Sequence, residues 1–325
     1  MKLPRLAEQE LIAAIRADFS GKKQGGLALG IGDDAAVIKP GGENLVLTTD
    51  LLVEGSHFLR SLYPPYLLGR KSLNVNISDV AAMGGRPLYA LLGLGLPPSL
   101  PRSWVERFFA GMRSAAEAGR VRLIGGDLAL AEKILISVTL VGQAKTFVRR
   151  SGGKPGHLLF VSGYPGRANA GRELLQSGVR SGRDRAADRL IKTFLDPVPQ
   201  VELGLRLSKL GAASAMLDTS DGLSVDIDNL CRESRVGAEI LADYIPISPE
   251  LKRLRKSPLQ DALYGGEDYG LLFSVPPSKL SAVAKLEKEF CLSRIGRLVP
   301  GGKVYLLDPS GRKTLFVPRG FRHFR

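Results

Sequence analysis

The stretch "LGIGDDAAVI", residues 29–38, contains Gly30-x-Gly32-x-x-Ala35, a variant of the dinucleotide-binding fingerprint, and Asp50 follows near the place expected for an acidic ribose ligand. A dinucleotide loop must run straight into a helix, whose first amides receive the pyrophosphate. Here the chain continues "AAVIKPGGENL", and Pro40, Gly41 and Gly42 interrupt any helix within a turn or two. Asp33 and Asp34 also stand where the pyrophosphate would have to approach. The Rossmann reading fails on context, and the chain has no G-x-x-x-x-G-K-[ST] run to support a P-loop. What the loop offers is carboxylate.

Carboxylates recur in five short segments flanked by glycine, serine or threonine. These are "GIGDDA" (Asp33, Asp34), "TTDLL" (Thr48, Thr49, Asp50), "NISDV" (Asp79), "IGGDL" (Asp127) and "LDTSDGL" (Asp218, Ser220, Asp221). Asp50, Asp127 and Asp218 fall at or just past the end of predicted strands, where open α/β sheets gather ligands. Singly, each segment has an ordinary reading: Asp221-Gly222 is also what a turn before a helix looks like, and Asp79 could be a solvated helical residue. Together they suit a hard divalent cation such as Mg²⁺, which combines a few carboxylates with waters and substrate phosphates. Two or three such ions would turn a mutually repelling acidic cluster into a phosphate receptor.

Working outward, apolar spacing predicts a helix over residues 6–19, another from Pro65 to Gly84 through Leu73, Ile77, Val80 and Ala81, and a third from Pro101 to Gly119. Strands are expected at 44–50, 88–97, 121–126 and 134–144, and "RRSGGKPG" (149–156) reads as a linker. Beyond it, strands and helices alternate again. The expectation is two α/β domains, 1–148 and 149–325, with sheets covered by helices.

The 325 residues carry a net charge of +14, with much of the excess in the second half. No zinc finger, RNP1 segment or basic zipper accompanies the charge, and aromatics make up only 6%, so nucleic acid is not the expected partner. A basic surface also suits a polyphosphate ligand. The longest apolar runs are far too short to span a bilayer, which needs roughly 18 residues. The N-terminus has charges where a signal peptide needs an apolar region. Cys231 and Cys291 show no metal-binding spacing, so reduced thiols and a cytoplasmic location are expected.

In order and spacing, "GIGDDAAV", "TTDLLVEGSHF", "SLNVNISDVAAMGGRP", "LIGGD", "RRSGGKPG", "LDTSDGL", "GGEDYGLLF" and the terminal "GFRHF" resemble the thiamine-monophosphate kinases, within the superfamily of aminoimidazole ribonucleotide synthetase. The resemblance runs from about residue 5 to the C-terminus. It implies ATP- and Mg²⁺-dependent phosphorylation of thiamine monophosphate to thiamine diphosphate. It also implies a homodimer in which N-terminal sheets pair into a barrel. Carried onto this chain, it implies magnesium ligands at Asp34, Thr48, Thr49, Asp50, Asp79, Asp127, Asp218 and Asp221. ATP contacts are implied at Gly126, Asp127, Arg150 and Ser220, and thiamine monophosphate contacts at His57, Glu267 and Phe321; Asp33 matches the motif without an implied role.

The chain departs from that pattern at Gly270, where "GGEDYE" is usual, at Thr219, where an aliphatic residue is common, and at Phe321, often Trp or Tyr. The chemistry suits the resemblance. A phosphate monoester, with a second pKa of about 6, is already an anionic nucleophile at neutral pH and needs no catalytic base. The barrier is electrostatic, and metal ions that neutralise and align both phosphates remove most of it. The alternatives are a sister ATP-dependent enzyme of the superfamily (a purine-synthesis ligase or a hydrogenase-maturation type) or a non-catalytic polyphosphate or nucleic-acid binder, marked by salt-dependent binding without turnover.

Overall fold

One helix, α1 (Pro65–Ala82), lies between two β-sheets and is buried along nearly its whole length. The structure, a computed structural model, describes residues 26–320; the expected helix at 6–19 and Phe321 lie outside them. The first sheet has six strands, β1 (Leu27–Leu29), β2 (Ala36–Ile38), β3 (Asn44–Val53), β4 (Arg86–Leu96), β5 (Arg122–Leu130) and β6 (Leu135–Ala144). Their spatial order is β1-β2-β3-β6-β4-β5, antiparallel except for the β4–β5 pair.

Period-two alternation in β6 sends Ile136, Val138 and Leu140 to one face. There they pack with Leu73, Ile77 and Val80 of α1 and with Phe108 and Met112 of α2 (Arg102–Gly119). The two helices cross closely because of two glycines. A Cβ at Gly111 would lie 1.8 Å from the Tyr66 carbonyl oxygen, and one at Gly69 would lie 2.0 Å from that of Phe108. Alanine at either site would force the helices apart and open the core, an overpacking cost of about 1–3 kcal/mol or more.

The second sheet has seven strands: β7 (Leu158–Ser162), β8 (Ala215–Asp218), β9 (Gly237–Leu241), β10 (Leu271–Val275), β11 (Leu292–Val299), β12 (Val304–Leu307) and β13 (Lys313–Leu315). Their order is β13-β12-β9-β11-β7-β10-β8, with β9–β12 the one parallel pair. Both faces are covered. Leu159, Val161, Leu217 and Leu272 meet α6 (Leu223–Ser234) and α8 (Pro258–Tyr264), while Phe160, Met216 and Phe273 meet α5 (Val201–Lys209) and α9 (Leu280–Leu286). Helices α3 (Arg167–Gln176), α4 (Arg185–Leu195) and α7 (Pro249–Leu254) complete this half.

Two α/β halves are present, each built on a mixed and mostly antiparallel sheet, with two corrections to the sequence reading. Among the described residues, helices cover the first sheet on one face only; β5 is exposed along its entire length, with Leu128 at 71%. Finally, Asp50 and Asp127 lie within strands rather than at their ends. Gly125-Gly126 reads as a strand terminus, yet β5 runs on through it, Gly126 pairing with Leu92 and Asp127 with Gly93.

Candidate active site

Asp34, Asp79 and Asp218 come from remote segments, and each offers a carboxylate oxygen within 4.8 Å of the others. Asp34 sits in the turn before β2, Asp79 in the last turn of α1, and Asp218 at the end of β8. Helix α1 brings them together because it carries a polar face as well as its apolar one. From that face Lys71, Asn74 and Ser78, all buried, reach the second half of the chain. The Asn74 amide donates to the Pro197 carbonyl at 2.8 Å, and the Ser78 hydroxyl donates to Asp218 Oδ2 at 2.7 Å.

Around the trio, each carboxylate is oriented by a neighbour. Thr48 Oγ1 donates to Asp79 Oδ2 at 2.5 Å. Arg150, in the irregular segment between β6 and β7, grips Asp34 at two points, Nη2 to Oδ1 at 2.8 Å and Nε to Oδ2 at 3.1 Å. Its backbone N–H donates to Asp33 Oδ1, which gives Asp33 a part in placing Arg150.

Burial and mutual repulsion dominate the electrostatics. Desolvation, with Asp34 adding repulsion, pushes Asp218 up to about 7. Asp79 is raised well above the carboxylate range, first by burial and then by Asp50, Asp218 and Asp34. Asp50 rises to about 6 through burial and the Asp221 carboxylate, and burial likewise takes Asp33 to about 6. Burial alone would lower the pKa of Arg150, and the Asp34 carboxylate more than reverses it, so the guanidinium stays charged.

Alternation along β3 separates its three expected ligands. Thr48 and Asp50 share the face toward α1, and the Asp50 amide donates to Asn76 Oδ1 at 3.1 Å. Thr49 points the other way, its hydroxyl donating to the Val138 carbonyl at 3.1 Å, so the structure does not join it to the trio. Gly126 and Asp127 lie on the exposed β5 edge, and Asp127 also stands outside the trio. A Cβ at Gly126 would meet the Leu92 carbonyl oxygen at 1.9 Å, so only glycine allows β5 to approach β4 there. His57 follows β3, and its Nδ1 accepts the Val53 N–H at 3.0 Å, which puts the ring proton on Nε2.

On the second half, residues 266–270 lie directly over residues 218–221. The Glu267 amide donates to the Ser220 carbonyl at 2.7 Å, and the Tyr269 amide donates to that of Thr219 at 2.8 Å. The Asp268 side chain accepts from the Gly166 and Ala168 amides at the start of α3. These bonds hold Glu267 and Tyr269 in the left-handed region, with φ of 68° and 51°. Such backbone costs about 1–3 kcal/mol and clusters at functional sites. The departures Thr219 and Gly270 touch each other: Thr219 Oγ1 accepts the Gly270 amide at 2.9 Å and would lie 3.2 Å from a Cβ at 270.

Two groups escaped the sequence reading. Asp226, in the first turn of α6, is fully buried, with one oxygen unbonded among the described residues, and burial then Asp221 and Asp218 raise its pKa. Lys71, a helical lysine, is 2% exposed and bonds Glu267 Oε1 at 2.6 Å. The polar spacing Lys71, Asn74, Ser78 was the available signal for the lysine, whereas Asp226 resembles an ordinary first-turn acid. The site is an all-oxygen donor set with adjacent guanidinium, suited to a hard cation and a phosphate.

Comparison with known proteins agrees with this chemistry. Residues 32–144 match the family AIR synthase related protein, N-terminal domain, and residues 154–308 match its C-terminal domain. The chain is 39% identical to the thiamine-monophosphate kinase of Aquifex aeolicus (strain VF5) over 328 residues, covering all of both chains. It is also similar to the solved structure of AaThiL complexed with AMPPCP and TMP, with a TM-score of 0.88, 39% identity, and coverage of 100% of this chain and 99% of that one. Hydrogenase maturation protein HypE in complex with ATP shares the fold alone, with a TM-score of 0.71 and 19% identity over 89% of this chain and 88% of that one.

Proposed function

As the chain belongs to the AIR synthase related family and, within it, to the thiamine-monophosphate kinases, we propose that it transfers the γ-phosphoryl group of ATP to thiamine monophosphate, giving thiamine diphosphate. The observation that carries the reading is the buried trio Asp34, Asp79 and Asp218, three carboxylates with raised or paired charge converging within 4.8 Å. A protein of net charge +14 has no general reason to bury acids against one another; a metal–phosphate site gives one.

The donor set fits magnesium, since all its ligand atoms are oxygen and several are ionisable. Asp34, Asp79 and Asp218 would hold it, joined by Asp50, by Asp221 and, from the β5 edge, by Asp127. Bound there, magnesium supplies charge neutralisation of the ATP polyphosphate and the acceptor phosphate. The chain's own groups do the rest. Thr48 and Ser78 orient Asp79 and Asp218 through hydrogen bonds of 2.5 and 2.7 Å. Arg150 brings a permanent cation to the polyphosphate, with Gly126 and Ser220 offering backbone close by in the reading. On the family resemblance, His57 and Glu267 would contact the thiamine end, as would Phe321 from outside the described residues. Because the acceptor phosphate is itself the nucleophile, no side chain needs to take a proton from it, and transfer is direct and in line.

The enzyme acts as a homodimer in this reading. Ile124, Leu128 and Leu130 make β5 an exposed apolar edge, a feature that folded proteins cover. Pairing with a second copy, sheet face to sheet face in a barrel, covers it. A cytoplasmic location is part of the same reading, both cysteines being free. Thiamine diphosphate formation from thiamine monophosphate, ATP and Mg²⁺, each omitted in turn, tests the function: product in all three single-omission controls, or in none of the mixtures, would contradict it.

A further inference from the structure

Lys71 is a charged side chain that the phosphoryl-transfer chemistry above does not use, and it is held in a cage built from both halves of the molecule. Its ammonium has three donors, and three acceptors receive them: Glu267 Oε1 at 2.6 Å, Tyr63 Oη at 2.8 Å and the Phe194 carbonyl at 3.4 Å. Tyr63 in turn donates its own proton to the same carbonyl at 2.9 Å. Burial, followed by the Glu267 charge, raises the Tyr63 pKa well above its ordinary value, so the phenol stays neutral and can do both. The rings of Phe194 and Tyr63 flank the ammonium at 4.5 and 5.3 Å, a placement in which aromatic faces favour a desolvated cation.

Of all these groups only Glu267 reaches solvent; its side chain is 30% exposed against 2% for Lys71. Its backbone is fixed independently, in the left-handed region, by the hydrogen bond its N–H donates to the carbonyl of Ser220, beside Asp221. A glutamate normally has three freely rotating side-chain torsions, and holding one in place takes a fixed partner. Here the backbone is pinned to the 218–221 loop and the carboxylate is pinned by a lysine that is itself buried. We propose that Lys71 is a positioning residue for recognition of thiamine monophosphate: it fixes Glu267 through Oε1 so that Oε2 faces the thiamine moiety. That moiety carries a cationic thiazolium and an amino-pyrimidine donor, and both are complementary to a fixed carboxylate. This rests on the reading of the chain as a thiamine-monophosphate kinase.

The test is steady-state kinetics of Lys71→Met, Glu267→Gln and the double variant, varying thiamine monophosphate and ATP separately. Lys71→Met is expected to raise KM for thiamine monophosphate roughly tenfold or more, as loss of a charge-assisted contact does. KM for ATP and kcat should stay within about threefold, because the metal trio is untouched. The double variant should be no worse than the worse single one, since the lysine acts through the glutamate. Tyr63→Phe, which removes one acceptor and keeps the fold's packing, should give a smaller shift of the same kind and serves if Lys71→Met does not fold.

Equal rises in both KM values, a fall in kcat alone, additive effects in the double variant, or unchanged kinetics would each overturn the proposal. A wild-type enzyme that makes no thiamine diphosphate would instead overturn the functional reading beneath it. A Glu267→Gln effect without any Lys71→Met effect would remove the positioning role and leave that reading intact.

Discussion

Arg150 holds Asp34 through two parallel hydrogen bonds, of 2.8 and 3.1 Å, across the junction of the two halves, and the Asp34 side chain is wholly buried beneath it. The pair joins a residue of the first sheet's entry loop to the segment that leads into the second sheet. It also occupies the carboxylate that belongs to the trio.

Arg150→Ala should therefore destabilise the protein in EDTA by about 3 kcal/mol, the scale for leaving a buried charge without its partner. Magnesium should restore stability to the variant more than it adds to the wild type, since a cation replaces the lost charge. Arg150→Lys should recover little, as an ammonium cannot grip both oxygens. Urea unfolding in EDTA and in Mg²⁺ measures this, and KM for ATP should rise in both variants.

The raised carboxylates set a pH dependence whose sign is fixed. Asp218, at about 7 when folded, binds a proton that the unfolded chain releases near the ordinary carboxylate value of 3.8. The folded state thus holds more protons between those limits, and stability falls as pH rises through them. In EDTA, this contribution is full below about pH 4 and is gone by about pH 7. Asp218→Asn should flatten the slope over that range, by a few kcal/mol at most, because about 1.4 kcal/mol accompanies each pKa unit. A melting-temperature series from pH 4 to 8 with EDTA checks it; an unchanged slope in the variant would remove Asp218 from the coupled cluster.

Asp127 behaves differently because it stands on an exposed strand outside the trio. Asp127→Asn should leave stability in EDTA within about 0.5 kcal/mol of wild type. The proposed role as a metal contact to the transferring phosphate predicts that the variant nevertheless loses activity by about a hundredfold or more. Full turnover in the variant would withdraw Asp127 from the metal site.

The β5 edge makes a fourth prediction. Leu128, 71% exposed in the single chain, would be buried in the dimer. Leu128→Asp should convert dimer to monomer in sedimentation equilibrium, because an unpaired carboxylate would be placed in an apolar contact. A wild-type monomer, or a variant that remains dimeric, would show that β5 is not the interface.

The acids of the candidate trio were legible as candidates because they stand in short glycine-, serine- or threonine-flanked segments. Which acids converge was not legible. Asp34, Asp79 and Asp218 are separated by long stretches of chain, and only the packing of α1 against β8 brings them together. Asp50 and Asp127 were read at strand ends because threonines and glycines look like punctuation there; pairing with neighbouring strands overrides that local signal. Lys71 was missed for a physical reason too. A helical lysine is nearly always exposed, and only a helix covered on both sides gives its polar face a buried role.

The most direct measurement is a rapid-quench single turnover with γ-labelled ATP and Mg²⁺, using thiamine monophosphate and free thiamine as alternative acceptors. Because a dianionic acceptor is itself the nucleophile in the proposed reaction and needs no base, label should pass straight into thiamine diphosphate, no labelled protein should form, and thiamine should react at least about a hundredfold more slowly. A labelled protein that forms and decays at the turnover rate, or equal reaction of thiamine and its monophosphate, would contradict direct transfer between two metal-held phosphates.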